Sequence, residues 1–260
     1  MPLPTPTNPF SPFPLSTITI PRTPLTSAAL SYLTQHTRPS TVNHCLRSTA
    51  FALLLIPRLP QYASLNLDTE LLVTAILLHD MGWATTESLL SGDKRFEVDG
   101  AEVARGFVVE QGGKEKGWDK HRLQLLWDAI ALHTTGGIAL WKEAEVGVVH
   151  LGILADFLGV YMGGDPGRGE LGKLISVDEY KEIVTAFPRE GFKDDLVQIM
   201  CGLCKSKPAT TFDTFVGEFG LEFGLDGKGA DKDRYREQWE KARQLPAMLG
   251  SLDLNAAFEK

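Results

Sequence analysis

The chain has 260 residues and a formal net charge of -7, from 26 lysines and arginines against 33 aspartates and glutamates. That balance lacks the basic footprint of a nucleic-acid binder, so no nucleic-acid partner is expected. A hydrophobic fraction of 43% suffices for a real core, and three cysteines are too few for a disulfide scaffold. The longest apolar runs, such as Ala50 to Ile56, fall short of a membrane span, and no basic-then-apolar leader opens the chain. The expectation is a cytoplasmic protein without a membrane segment.

Residues 1–25 hold Pro2, Pro4, Pro6, Pro9, Pro12, Pro14, Pro21 and Pro24, which withhold amide donors and forbid regular helix. They read as a proline-rich arm. Because the arm also carries Phe10, Phe13, Leu15, Ile18 and Ile20, it can lie across the body or across a partner subunit, and a homodimer is compatible with it. A disordered tail is the alternative.

From Thr26 onward helical signals dominate. Segments near Ser27–His36 and Thr41–Pro57 come first, the second with an apolar stripe at Cys45, Thr49, Leu53 and Ile56. The next helix, Thr69–Met81, has Asp68 as N-cap and Gly82 past its end. Helices follow at Val98–Gln111, stopped by Gly112-Gly113, and at Asp119–His133. The most apolar one, Glu143–Tyr161, should be central. Ser176–Phe187 opens on a capping box, Ser176 with Glu179, and Lys193–Lys205, Thr211–Phe219 and Tyr235–Leu245 complete the set. No run of alternating strands appears. The fold class is all-α, with residues 26–260 as a single domain whose metal-binding core lies at about 40–160.

Polar groups on apolar faces carry the chemistry. His79 and Asp80 end the run Leu71-Leu72-Val73-Thr74-Ala75-Ile76-Leu77-Leu78, so an imidazole and a carboxylate enter a core and need partners. His44 shares a helix face with Arg47 and Ser48, and Asp156 sits among Ile153, Leu154, Phe157 and Val160. A lone core histidine is usually satisfied by a carbonyl, and a lone buried aspartate by an arginine or amides. Three helices that together offer His44, His79, Asp80 and Asp156 suit one divalent metal ion, zinc above all, with iron or manganese as alternatives.

His133 ends its helix in register with Ile130 and Trp127 and points inward, as a ligand, a proton shuttle or a packed imidazole. Thr134 and Thr135 can hydrogen-bond a small substrate, or simply form the loop. His121 and His36 read as solvent-facing and His150 as packing. Cys201-Gly202-Leu203-Cys204 has knuckle spacing without a second pair, and its apolar flanks make it core packing.

The order His44, His79-Asp80, Asp156 resembles the HD-domain superfamily of metal-dependent phosphohydrolases and relatives, all-helical proteins that hold a metal with those residues. Closer likeness, to the fungal cyanamide hydratase group, lies in Leu77-Leu78-His79-Asp80-Met81-Gly82, Arg95-Phe96-Glu97-Val98-Asp99-Gly100-Ala101-Glu102 and Ala131-Leu132-His133-Thr134-Thr135-Gly136-Gly137-Ile138-Ala139, together with the Phe192–Thr211 region. The resemblance implies addition of water to the carbon–nitrogen triple bond of cyanamide, giving urea, or to a related small nitrile or isocyanide. Two-metal relatives place a histidine where this chain has Asp99, so one metal is expected.

In that reading the ion is held by His44, His79, Asp80 and Asp156 and activates water, while His133, Asp99 or Glu97 handles the proton. Arg47 orients Asp80 or steers an anion. A phosphohydrolase acting on a nucleotide or phosphate ester, and a non-catalytic binding protein on the same fold, are the competing functions.

Overall fold

Twelve α-helices run through residues 8–113 and 117–258, which are the residues described by a computed structural model. No sheet forms among them; two isolated bridges, Phe13 with Ile18 and Asp165 with Glu170, close turns. The all-α expectation therefore holds. The described residues group into two compact units, one within 8–91 and 96–192, the other within 92–95 and 193–258.

The first unit contains α1 (Pro24–His36), α2 (Pro39–Leu55), α3 (Thr69–Leu78), α4 (Phe96–Glu110), α5 (Lys120–Ala131), α6 (Gly136–Ala139), α7 (Ala144–Leu158) and α8 (Val177–Ala186). Local chemistry sets their starts. Pro24 and Pro39 stand in first turns, where a missing amide costs nothing. Asp68 and Asp119 accept the amides of Leu71 and Arg122, and Ser176 with Glu179 closes the capping box on α8. Past Leu78 the chain tightens into a 3-10 turn, His79–Trp83, so His79 and Asp80 stand just beyond an α-helix and not inside one.

Helix α7 packs against α2, α3 and α5. Gly152 allows the close approach to α2: a Cβ there would lie 2.5 Å from the Ala52 Cβ and 2.8 Å from the Ser48 carbonyl oxygen. One turn away along the two helices, the same approach brings Asp156 to His44. By length and composition Ala144–Tyr161 could cross a membrane, which the shorter apolar runs in the sequence did not suggest. Half of it is buried inside the fold.

The described part of the arm packs onto this unit. Phe13 and Ile20 join the core, and the Phe13 amide donates to the Ile18 carbonyl at 2.9 Å, closing a turn. Burial of these two side chains offsets the cost of ordering a chain that lacks helix. Residues 1–7 lie outside the described residues.

The second unit holds α9 (Phe192–Ser206, from Lys193 on), α10 (Val216–Phe223), α11 (Lys232–Lys241) and α12 (Gln244–Asn255). Its core gathers Met200, Cys201, Cys204, Val216 and Tyr235, and the Tyr235 hydroxyl meets the Thr211 hydroxyl at 2.6 Å. Both cysteine thiols donate to carbonyls, Cys204 to Val216 at 3.3 Å and Cys201 to Phe219 at 3.8 Å, so they pack as the flanking residues suggest. Two boundaries differ from expectation. The helix expected over Thr211–Phe219 begins at Val216, and the one expected over Tyr235–Leu245 divides into α11 and α12, with Pro246 accommodated in the first turn of α12.

Candidate metal centre

His44 comes from α2 and His79 and Asp80 from the turn after α3; their exposures are 1%, 0% and 0%. Each imidazole has its proton placed by an acceptor. His79 Nδ1 lies 2.7 Å from the Ile76 carbonyl, and His44 Nδ1 lies 2.6 Å from Asp156 Oδ2. Carbonyls and carboxylates only accept, so both rings carry hydrogen on Nδ1, and the neutral form of each has its lone pair on Nε2.

Those lone pairs face one carboxylate. His44 Nε2 lies 3.6 Å from Asp80 Oδ2, and His79 Nε2 lies 3.1 Å from Asp80 Oδ1. His79 Nε2 and both Asp80 oxygens are buried without a hydrogen-bond partner. Acceptors gathered in this way repel one another and forgo solvation, a cost of several kcal/mol unless a cation sits among them. The three donor atoms lie within 4.8 Å of one another. A divalent ion at about 2.0–2.2 Å from each ligand calls for separations on the order of 3–4 Å, so the set fits an ion with little adjustment.

Asp156, expected as a fourth ligand, stands behind His44 in this arrangement. Its Oδ2 accepts from His44 Nδ1 and from Arg47 Nη2 at 2.9 Å, and its Oδ1 accepts from Arg47 Nε at 2.7 Å and Arg189 Nη1 at 3.0 Å. Burial alone would raise its pKa, but the His44 and Arg47 hydrogen bonds outweigh burial and hold it at about 2. An anionic Asp156 fixes the His44 ring and strengthens Nε2 as a donor to metal.

Arg47, expected to orient Asp80 or steer an anion, does neither here. It is fully buried, grips Asp156 with two nitrogens, and donates through Nη1 to the carbonyls of Phe187 at 3.0 Å and Pro188 at 2.9 Å. The physical reason is direction: on α2 the Arg47 side chain faces α7 and the segment after α8.

His133 lies in the turn after α5, its ring 4.8 Å from that of His79 and 5.6 Å from Phe96. Its Nδ1 donates to the Ile130 carbonyl at 2.6 Å, leaving Nε2 as an acceptor. Burial, reinforced by His79, lowers its pKa to about 3, so the ring is neutral near pH 7. His150 Nδ1 donates to the His133 carbonyl at 2.6 Å and so holds this turn, a role beyond the packing expected of it.

Glu97 and Thr134 meet: the Thr134 hydroxyl donates to Glu97 Oε1 at 2.7 Å. Asp99 is buried and its Oδ2 accepts the Ser91 amide at 3.1 Å, anchoring the loop before α4. Thr135 opens α6, where its carbonyl accepts the Ile138 and Ala139 amides at 2.9 Å. Gly100 lets α4 rest on the turn that bears the ligands, since a Cβ there would lie 2.6 Å from the His79 carbonyl oxygen. Of the remaining histidines, His121 is exposed, whereas His36 is half-buried and shares a 2.8 Å hydrogen bond with Thr86.

Three site residues were not picked out from the sequence. Arg189 holds Asp156 through its backbone carbonyl and Oδ1. Phe192 stacks on the His44 ring at 4.7 Å and 20°, and Phe157 meets it edge-on at 5.4 Å. An arginine and a phenylalanine soon after a proline carry no periodic signal, and Phe157 reads as one more apolar residue of α7.

Residues 41–154 match the family described as HD domain. No curated protein matches the chain.

Proposed function

From a chain that carries an HD domain over residues 41–154, a fold of metal-dependent hydrolases, we propose a hydratase that adds water to a small carbon–nitrogen triple bond. Cyanamide, which would give urea, is the favoured substrate, with another small nitrile or an isocyanide as the related choices. Zinc is the proposed ion, held by His44, His79 and Asp80, the buried trio whose acceptor atoms converge. When bound, the ion supplies Lewis acidity, which lowers the pKa of water and polarises a substrate nitrogen.

The protein's own groups do the rest. His79 and His44 engage Nδ1 with Ile76 and Asp156 and so turn Nε2 toward Asp80. His133 is neutral, with Nδ1 engaged, so its Nε2 can accept a proton or a hydrogen bond from water but is a poor acid near neutrality. Glu97, which accepts from the Thr134 hydroxyl, is assigned the proton that water loses on activation, and passes it on to the substrate nitrogen. Asp99 and Thr135 set the flanking turns.

The observation that carries a neutral substrate over a phosphate ester is the state of the arginines. Arg47 is buried with Nε and Nη2 on Asp156 and Nη1 on two carbonyls, so it offers no nitrogen to a phosphoryl group, and Arg189 gives its Nη1 to Asp156. Aromatic rings, Phe96, Phe157 and Phe192, surround the histidines instead.

The test is metal analysis of the purified protein with a urea-release assay on cyanamide beside a panel of nucleotides and phosphate esters. Urea release that disappears, together with bound metal, in His79→Ala is the expected result. Phosphate release without urea would replace the hydratase reading with a phosphohydrolase.

A further inference from the structure

Contacts run without a break from the N-terminal arm to the histidine pair, and we propose that the arm is a positioning element of the metal centre. The proposal rests on the metal-centre reading above. It begins at the turn closed by Phe13 and Ile18, whose far side meets α8. The Leu15 and Ser16 amides donate to the two oxygens of Glu182, at 2.8 and 2.9 Å, and the Ser16 hydroxyl donates to the same carboxylate. Glu182 is buried, so these bonds supply the partners a desolvated anion needs. Phe13 packs edge-on against Phe187, ring centres 5.8 Å apart. The arm thus holds both the middle of α8 and the residue just past its end.

The stretch from Phe187 to Phe192 then braces the centre. The Phe187 and Pro188 carbonyls hold Arg47, Arg189 holds Asp156, and Phe192 lies on the His44 ring. Asn43 adds a bond from its amide to the Pro188 carbonyl at 3.1 Å. Arg47 and Asp156 fix His44 in turn. Lifting the arm would strip Glu182 of three donors and remove the ring against Phe187, so α8 and the bracing stretch must shift. The orientation of His44 shifts with them.

The experiment measures Co2+ affinity by chelator competition, the visible absorption of bound Co2+, and urea unfolding, for the wild-type chain and four variants. Phe13→Ala removes the ring; Ser16→Ala removes one hydroxyl and retains the fold if the larger change does not. Phe13→Leu restores an apolar seat. Leu126→Ala empties a buried site on α5, a helix that supplies none of the residues in this run of contacts, and destabilises the fold by a cavity instead.

Phe13→Ala should weaken Co2+ binding roughly tenfold, the low end for groups that orient metal ligands, and change the absorption. Ser16→Ala should show a smaller weakening, Phe13→Leu a near-normal affinity, and Leu126→Ala a loss of stability with unchanged affinity and spectrum. Wild-type affinity and spectrum in both Phe13→Ala and Ser16→Ala would overturn the arm's role while leaving the centre standing. Equal weakening in Leu126→Ala would overturn it too, as mere loss of stability. A wild-type chain that binds no Co2+ would remove the metal centre and the arm's role together.

Discussion

At the scale of single residues, His44 and Asp156 form a pair whose order of action is testable. With Asp156 bonded to Nδ1, its effect on a metal passes through the His44 ring. Asp156→Asn should therefore lower metal affinity by about 10- to 100-fold, whereas His79→Ala should abolish binding. Equal losses in the two variants, read by equilibrium competition with a chromophoric chelator, would make Asp156 a direct ligand. Arg47→Met leaves Asp156 buried with fewer partners and should cost about 3–5 kcal/mol in urea unfolding, because removing one member of a buried pair exposes the other's desolvation. His44, His79, Asp80 and Asp156 were legible because polar side chains stood on otherwise apolar helix faces. Which cation faced Asp156 was not legible: helical spacing tells which face a residue occupies and nothing of what lies opposite. Arg189 and Phe192 illustrate the point, since they reach the site from a segment with no helical period of its own until Phe192.

At the scale of elements, capping chemistry in the sequence marked helix starts well. Asp68 and Ser176 cap where expected, and Asp119 caps α5 as well. Ser176→Ala should cost about 1 kcal/mol of stability through the lost α8 cap, measured as a shift in urea midpoint at constant slope. Glu179, three residues on, is also an acid sensor. Hydrogen bonds from Arg58 lead the effect, opposed by burial and aided by Ser176, and hold its pKa at about 2 against an ordinary 4.5. The unfolded chain therefore takes up this proton first. Glu179's contribution is full above about pH 4.5 and is lost as pH falls toward 2. Urea midpoints across that window should fall less steeply in Glu179→Gln than in the wild type. α12 escaped the sequence reading because Pro246 and Gly250 interrupt its pattern and no residue in it is buried. Its exposed leucines carry a matching expectation: Leu249→Gln and Leu252→Gln, at 51% and 62% exposure, should each leave stability within about 0.5 kcal/mol.

At the scale of the whole molecule, the all-helical class followed from periodicity, whereas the division after Phe192 did not. Apolar stripes on α9, α10 and α11 look alike whether they complete one core or build a second. Metal should couple to global stability of the first unit: zinc at 100 times its dissociation constant adds about 2.7 kcal/mol to a state that alone binds it. The melting temperature should rise with zinc in the wild type and stay fixed in His79→Ala, by calorimetry with and without chelator. Near-complete burial of His44, His79 and Asp80 has a kinetic corollary. An ion coordinated there cannot be pulled away by a chelator that must first touch it, so its residence time is set by how often the surrounding helices part. Release into excess chelator should then proceed at a rate independent of chelator concentration, quicken with small additions of urea, and climb with temperature as steeply as an opening reaction does.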